Sequence, residues 1–178
     1  DRKKKIFASS LLLALGYSKS DIANEFYESE KYIYDTSSQK WKTKFNPENY
    51  KTKNFSEEII DASNGKVVIK LGDKINYLTA KKLSNDGLKN ILVSKESLYG
   101  KFLHTDLKIN DDEGGVLKIG TELNETVIQQ ILDANIHTLE ISITNSINKG
   151  GYLLTTIFND KNNSKDEAIT EIYKMLRP

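Results

Sequence analysis

Apolar positions change their spacing twice along the chain. Over residues 6–15, Ile6, Leu11, Leu12, Leu13 and Leu15 give a broad apolar face, which predicts a helix, and Gly16 suits the left-handed position that ends one. Ser18 or Ser20 caps a second helix through about Tyr27, with Ile22, Phe26 and Tyr27 on one side. Together they read as a helical hairpin. From Lys31 the period drops to two. Tyr32-Ile33-Tyr34 and Trp41 to Phe45 alternate as strands do, and Asn46-Pro47 breaks the second. Ile59-Ile60, Asn64-Gly65 and Val67-Val68-Ile69 predict a hairpin with a type I′ turn, because Asn-Gly supplies the positive φ angles that turn needs. The end returns to helical spacing. Ser164 and Glu167 form a capping-box pattern, Ala168, Ile169, Ile172, Tyr173 and Leu176 follow, and Pro178 stops the helix.

The middle carries an internal repeat. Lys70-Leu71-Gly72-Asp73-Lys74-Ile75-Asn76 aligns with Lys118-Ile119-Gly120-Thr121-Glu122-Leu123-Asn124, and the offset of 48 residues holds without a gap. Leu83 falls on Ile131, Gly87 on Asn135, Leu88 on Ile136, Ile91 on Leu139, Val93 on Ile141 and Ser94 on Ser142. Each copy reads strand, glycine turn, short helix, strand. Gly87 and Asn135 match because both tolerate a left-handed backbone. Two copies are too few for a solenoid, so one compact α+β unit is expected.

Composition narrows the function classes. At 178 residues the chain suits one domain or two small ones, and 38% hydrophobic with 29% charged residues is a globular balance. A net charge of +1 creates no whole-molecule field for nucleic acid or an anionic membrane, so such binding needs a local patch. Absence of cysteine excludes disulfides, thiolate catalysis and cysteine-ligated zinc, and suits a cytoplasmic location. Leu11 to Leu15, the longest apolar run, is too short to span a bilayer. Arg2 to Lys5 before it resembles a signal-peptide start, but no small-residue cleavage site follows. A first residue of Asp and a last of Pro are read as ends cut from something longer.

Candidate chemistry is thin. The run Arg2-Lys3-Lys4-Lys5 could contact phosphates, against the plainer reading of a solvated helix start. Asn110-Asp111-Asp112-Glu113-Gly114-Gly115 fails the alternating ligand spacing of a calcium loop and reads as a polar hairpin turn. His104 and His137 stand alone, without ligand spacing, and are read as solvent-facing. Gly150-Gly151 lacks the Lys-Ser/Thr ending of a phosphate loop and is read as having no helix after it. Trp41 reads as a packing residue. No nucleophile–base pair is legible, so neither metal nor cofactor is expected and no catalytic residue is assigned.

Both ends carry a family resemblance. Asp1-Arg2-Lys3-Lys4-Lys5-Ile6-Phe7-Ala8 with Leu13-Ala14-Leu15-Gly16-Tyr17, and Glu171-Ile172-Tyr173-Lys174-Met175-Leu176-Arg177-Pro178, resemble segments of the β subunit of bacterial DNA-directed RNA polymerase. Asn64-Gly65-Lys66-Val67, Ile91-Leu92-Val93 and Gly100-Lys101 fall in that family's order. The resemblance implies a lobe region flanking downstream DNA, with residues 1–26 and 144–178 as helical lobe segments. These bracket an inserted, mostly β unit at 27–143, whose repeats run over about 66–94 and 114–142. The fold class is then α+β. Implied partners are the other polymerase subunits (β′, α and sigma), downstream DNA and regulatory proteins docking on the inserted unit. The catalytic magnesium aspartates belong to β′, so the fragment itself is expected to be non-catalytic within a nucleotidyltransferase. Asp1, Arg2, Lys3 and Arg177 are the implied DNA-proximal residues. Lys3-Lys4 stand where the family has Arg-Arg, which keeps charge and loses the bidentate guanidinium geometry. A free-standing protein-binding adaptor, or a small hydrolase built on Asp or Glu pairs, are the competing readings.

Overall fold

The structure is a computed structural model that describes residues 5–50, 58–70, 72–73, 75–110, 115–144 and 150–177. Along the chain run α1 (Ala8–Ala14), α2 (Lys19–Phe26), β1 (Ser29–Asp35), β2 (Lys40–Lys44), β3 (Ile59–Asp61), β4 (Val67–Ile69) and α3 (Tyr77–Asn85). Then follow β5 (Asn90–Val93), β6 (Phe102–Leu103), β7 (Leu107–Lys108), β8 (Val116–Leu117), α4 (Glu125–Asp133), β9 (Thr138–Ser142), α5 (Tyr152–Asn159) and α6 (Lys165–Leu176). Short 3-10 turns cover Pro47–Tyr50 and Lys95–Leu98. The class is α+β, as the sequence predicts. The chain divides into two compact units, one of Asp1–Ser29, Gly100–Leu123 and Glu140–Pro178, the other of Glu30–Tyr99 and Asn124–Leu139.

The first unit is mainly helical. Leu13, Ile22, Ala23, Tyr27, Ile119, Leu154, Ile157 and Ala168 form its core, each large side chain contributing about 1.5–3 kcal/mol on burial. Ser18 accepts from the Asp21 amide at 3.0 Å while the Asp21 carboxylate accepts from the Ser18 amide at 2.8 Å, a full capping box that starts α2. Gly16, at φ 105°, ends α1 as predicted: its amide donates to the Leu13 carbonyl, and the Tyr17 amide to that of Leu12. At α6 the box is shifted. Ser164 accepts from the Glu167 amide at 3.3 Å, but the Glu167 carboxylate takes the Asn163 amide. Leu103 of β6 pairs with Ile141 of β9, and β7 pairs with β8.

Two expectations for this unit are corrected. A helix, α5, does follow Gly150-Gly151. Its Thr, Ile and Phe content disguised it, and burial of Leu154 and Ile157 overrides their local preference. His104 is buried rather than solvent-facing. The glycine pair is still no phosphate loop, since a Cβ on Gly151 would meet the Phe102 ring at 2.3 Å, and Lys-Ser/Thr is missing.

The second unit is built on antiparallel strands in the order β4-β3-β5-β2-β1. Tyr32, Trp41 and Thr43 point to one buried face, while Lys31, Ile33, Lys42 and Lys44 point outwards, the period-two signature of a half-buried sheet. Trp41 is fully buried and packs on Tyr34, ring centroids 5.1 Å apart, which bears out its packing role. Its indole N–H finds no partner among the described residues. The β3–β4 hairpin forms, but not on a type I′ turn. Gly65 has φ 71° and Asn64 stays outside the left-handed region. Instead the Asp61 carboxylate accepts from the Ser63 amide and from the side chains of Ser63 and Asn64, and this longer loop carries a register shift between Ile59 and Ile60.

The repeat is visible in three dimensions, and it is longer than the sequence indicated. β3-β4-α3-β5 and β7-β8-α4-β9 follow the same order at the same offset. Asn76 and Asn124 cap their helices through side chains accepting from Thr79 and Val127 amides, at 2.9 Å each. Gly87 (φ 105°) and Asn135 (φ 60°) end them in left-handed geometry. Amides of Leu88 and Ile136 reach back to the carbonyls of Leu83 and Ile131 at 3.0 and 3.1 Å. Gly72 and Gly120 take φ 89° and 82° in the preceding turns.

Candidate functional site

The most connected polar group in the helical unit is Asp160, just after α5. It is buried, and its Oδ2 accepts from the hydroxyls of Ser9 and Ser10 at 2.5 and 2.8 Å. Its Oδ1 accepts from the Asn162 amide at 3.0 Å, and its carbonyl from the Lys19 ammonium at 2.7 Å. The Asn162 side chain donates in turn to Ser10 and to Glu171 of α6. A buried carboxylate is tolerated only when its oxygens are satisfied in this way. Burial lowers the Lys19 pKa, with the Asp160 charge opposing that shift. The knot fastens α1, the α5–α6 loop and α6. No oxygen is left facing a substrate, so its chemistry is structural.

His104 forms a second polar bridge. Nε2 lies 2.9 Å from Asn24 Oδ1 and Nδ1 lies 2.9 Å from Ser142 Oγ. An amide oxygen only accepts, so Nε2 carries the proton and Nδ1 accepts from the serine hydroxyl. Burial lowers the His104 pKa from the ordinary value, against a smaller pull from the Glu140 carboxylate. Serine, histidine and asparagine in a row suggest acyl-transfer chemistry, but Ser142 is only 2% exposed. A nucleophile sealed from solvent has no substrate to attack. Among the described residues no group of three or more His, Cys, Asp or Glu could hold a metal ion. A wide, shallow groove of about 620 Å³ is lined by Leu15, Tyr17, Asp21, Asn24 and Glu25.

The expected DNA-proximal residues fare unequally. Asp1, Arg2 and Lys3 lie outside the described residues. Arg177 closes α6, exposed, with its guanidinium 5.6 Å from the Tyr173 ring centroid. Residues 111–114 of the acidic turn also lie outside the described residues, though β7 and β8 pair on either side of it. His137 is half-buried and stacks near Tyr34 at 5.8 Å.

Sequence reasoning missed how α1 and α6 are oriented. In α1 the polar Ser9 and Ser10 point inwards beside Leu13, while Leu11 is half exposed and Leu15 is 74% exposed. In α6 only Ala168 is buried, and Ile169, Tyr173 and Leu176 (75% exposed) face outwards. Apolar spacing shows that a helix has an apolar face, but not which side of it the same chain covers.

No family model matches the chain. Over all of its 178 residues it is 34% identical to the DNA-directed RNA polymerase subunit beta of Rickettsia felis and of Rickettsia prowazekii, and 33% identical to that of Rickettsia akari. The chain spans 13% of the length of these curated relatives. The similarity therefore covers the middle of the sequence as well as its two ends.

Proposed function

We propose that this chain, similar from end to end to DNA-directed RNA polymerase β subunits, is a stretch of the lobe of such a subunit and works in transcription without catalysing it. The similarity over all 178 residues carries this reading. Exposed apolar edges on α1 and α6 support it, because a segment of a much longer subunit needs faces that neighbouring polypeptide covers. The lobe's role is mechanical and electrostatic. It flanks downstream DNA, with Asp1, Arg2, Lys3 and Arg177 nearest the phosphates, while residues 27–143 form an inserted unit that offers regulatory proteins a surface. Catalytic chemistry resides in the partner β′ subunit, and the fragment alone turns nothing over.

An immunoblot of the source cells with antibody to this chain tests the assignment. A single band far larger than the chain, co-purifying with RNA polymerase activity, is the expected result. A band at the chain's own size would replace the lobe by a free-standing adaptor. For the DNA contact, Arg2→Ala in the intact polymerase should weaken promoter complexes and lower the salt slope by about 1. Equal stability of mutant and parent complexes across a salt series would remove Arg2 from the contact set.

A further inference from the structure

The outward face of β1 and β2 carries a charge pattern that the fold does not need. Lys42 stands between Ile33 of β1 and Leu92 of β5 in direct cross-strand register. Lys44 lies two residues along the same face, and Lys31 lies one residue beyond the Tyr32–Thr43 pair, beside Lys44. All three lysines are exposed, and none forms an ion pair among the described residues, whereas Lys40 at the far end of β2 pairs with Glu58 at 3.6 Å. Like charges on neighbouring strand positions are destabilising. Lysines often guard sheet edges against stray pairing, but β2 is hydrogen-bonded on both sides, to β1 and β5, and has no edge to guard. In the midst of these cations Ile33 is 43% exposed.

We propose that this face docks an acidic polypeptide segment, carboxylates meeting Lys31, Lys42 and Lys44 while one apolar side chain meets Ile33. The idea rests on the reading of residues 27–143 as a docking unit and names the face and the partner's chemistry. An apolar centre with a charged rim is the anatomy of a protein interface. A nucleic acid fits less well. The phosphodiester backbone offers nothing to Ile33, the face has no arginine fork, and the aromatic side chains Tyr32 and Trp41 that could stack on bases point to the buried side.

The test uses the 178-residue chain and two fluorescent probes: a short synthetic peptide with glutamates flanking a leucine pair, and an oligothymidylate of matched charge. Peptide binding at low ionic strength is expected, weakened about tenfold by K42E/K44E and by I33D, and reduced by added salt. Oligothymidylate should bind more weakly and be indifferent to I33D. Peptide binding that ignores both variants overturns the proposal. Tighter oligothymidylate binding that falls with K42E/K44E but not with I33D turns the face into a nucleic-acid surface. Thermal melts by circular dichroism establish that the variants fold; if K42E/K44E does not, K42A/K44A and K31A carry the same comparison. The lobe assignment is tested apart from this, since K42E/K44E should leave co-purification with polymerase activity intact, and a wild-type chain that fails to co-purify would sink the assignment alone.

Discussion

Helices α3 and α4 begin at the same asparagine cap and end at the same kind of left-handed residue, yet they are anchored very differently. α4 buries Ile128 and Ile131. At the equivalent positions α3 has Ala80, which is buried, and Leu83, which is only partly so, while Leu78 is largely exposed. The caps, turns and offset that define the repeat are local, set by a few side chains and the backbone. The apolar content behind them differs between the copies. Duplication has kept the instructions for making the helix and let the strength of its attachment diverge.

The comparison breaks most readily at the core. Ile131→Ala should cost about 2–5 kcal/mol, because the site is fully buried and cannot relax into solvent. Leu83→Ala should cost about 1 kcal/mol. Chemical denaturation of the two variants measures both, and equal losses would mean that α3 is anchored as firmly as α4. A smaller effect separates the helix ends. Gly87→Ala forces a Cβ into φ 105° with nothing nearby to clash, so its cost is the left-handed penalty of about 1–2 kcal/mol. Asn135→Gly should be neutral within about 0.5 kcal/mol, as asparagine already tolerates that geometry. The smallest difference lies where Ser94 and Ser142 end the two repeats, since only Ser142 holds a histidine. The His104 pKa is lowered on folding, so the unfolded chain takes up the proton first as pH falls. Stability is therefore full above the ordinary value of 6.5 and declines as pH drops through the lower folded value. Melting temperature between pH 8 and 5 should show this decline, and His104→Gln should flatten it.

Much of the architecture was legible because its signals are local. Ser18, Gly16 and the left-handed pair Gly87 and Asn135 each act on the adjoining turn, and each appears where the sequence places it, whereas the caps at Asn76 and Asn124 emerge only from the structure. What failed depended on distant partners. α5 hid behind strand-forming residues until Leu154 and Ile157 were seen in the core. Ser9 and Ser10 gave no hint that they face inwards, because their partner Asp160 lies about 150 positions away. His104 was misread for the same reason, its partners being Asn24 and Ser142. The candidate surface was only half legible. The alternation over β1 and β2 shows that lysines share a face, but only strand order shows that β2 is interior and that its lysines guard no edge.

The Asp160 knot also sets a schedule. The strands β1 to β5 are complete once the chain has reached Val93. The helical unit draws on three separate stretches, and α1 cannot satisfy its inward serines until Asp160 has been made. During synthesis from the N-terminus the first helix must wait, with Ser9 and Ser10 solvated, through most of the chain's length. Contacts of such long sequence separation close slowly. A growing chain stalled before Asp160 should hold a protease-resistant sheet behind an N-terminal hairpin that is still open to cleavage.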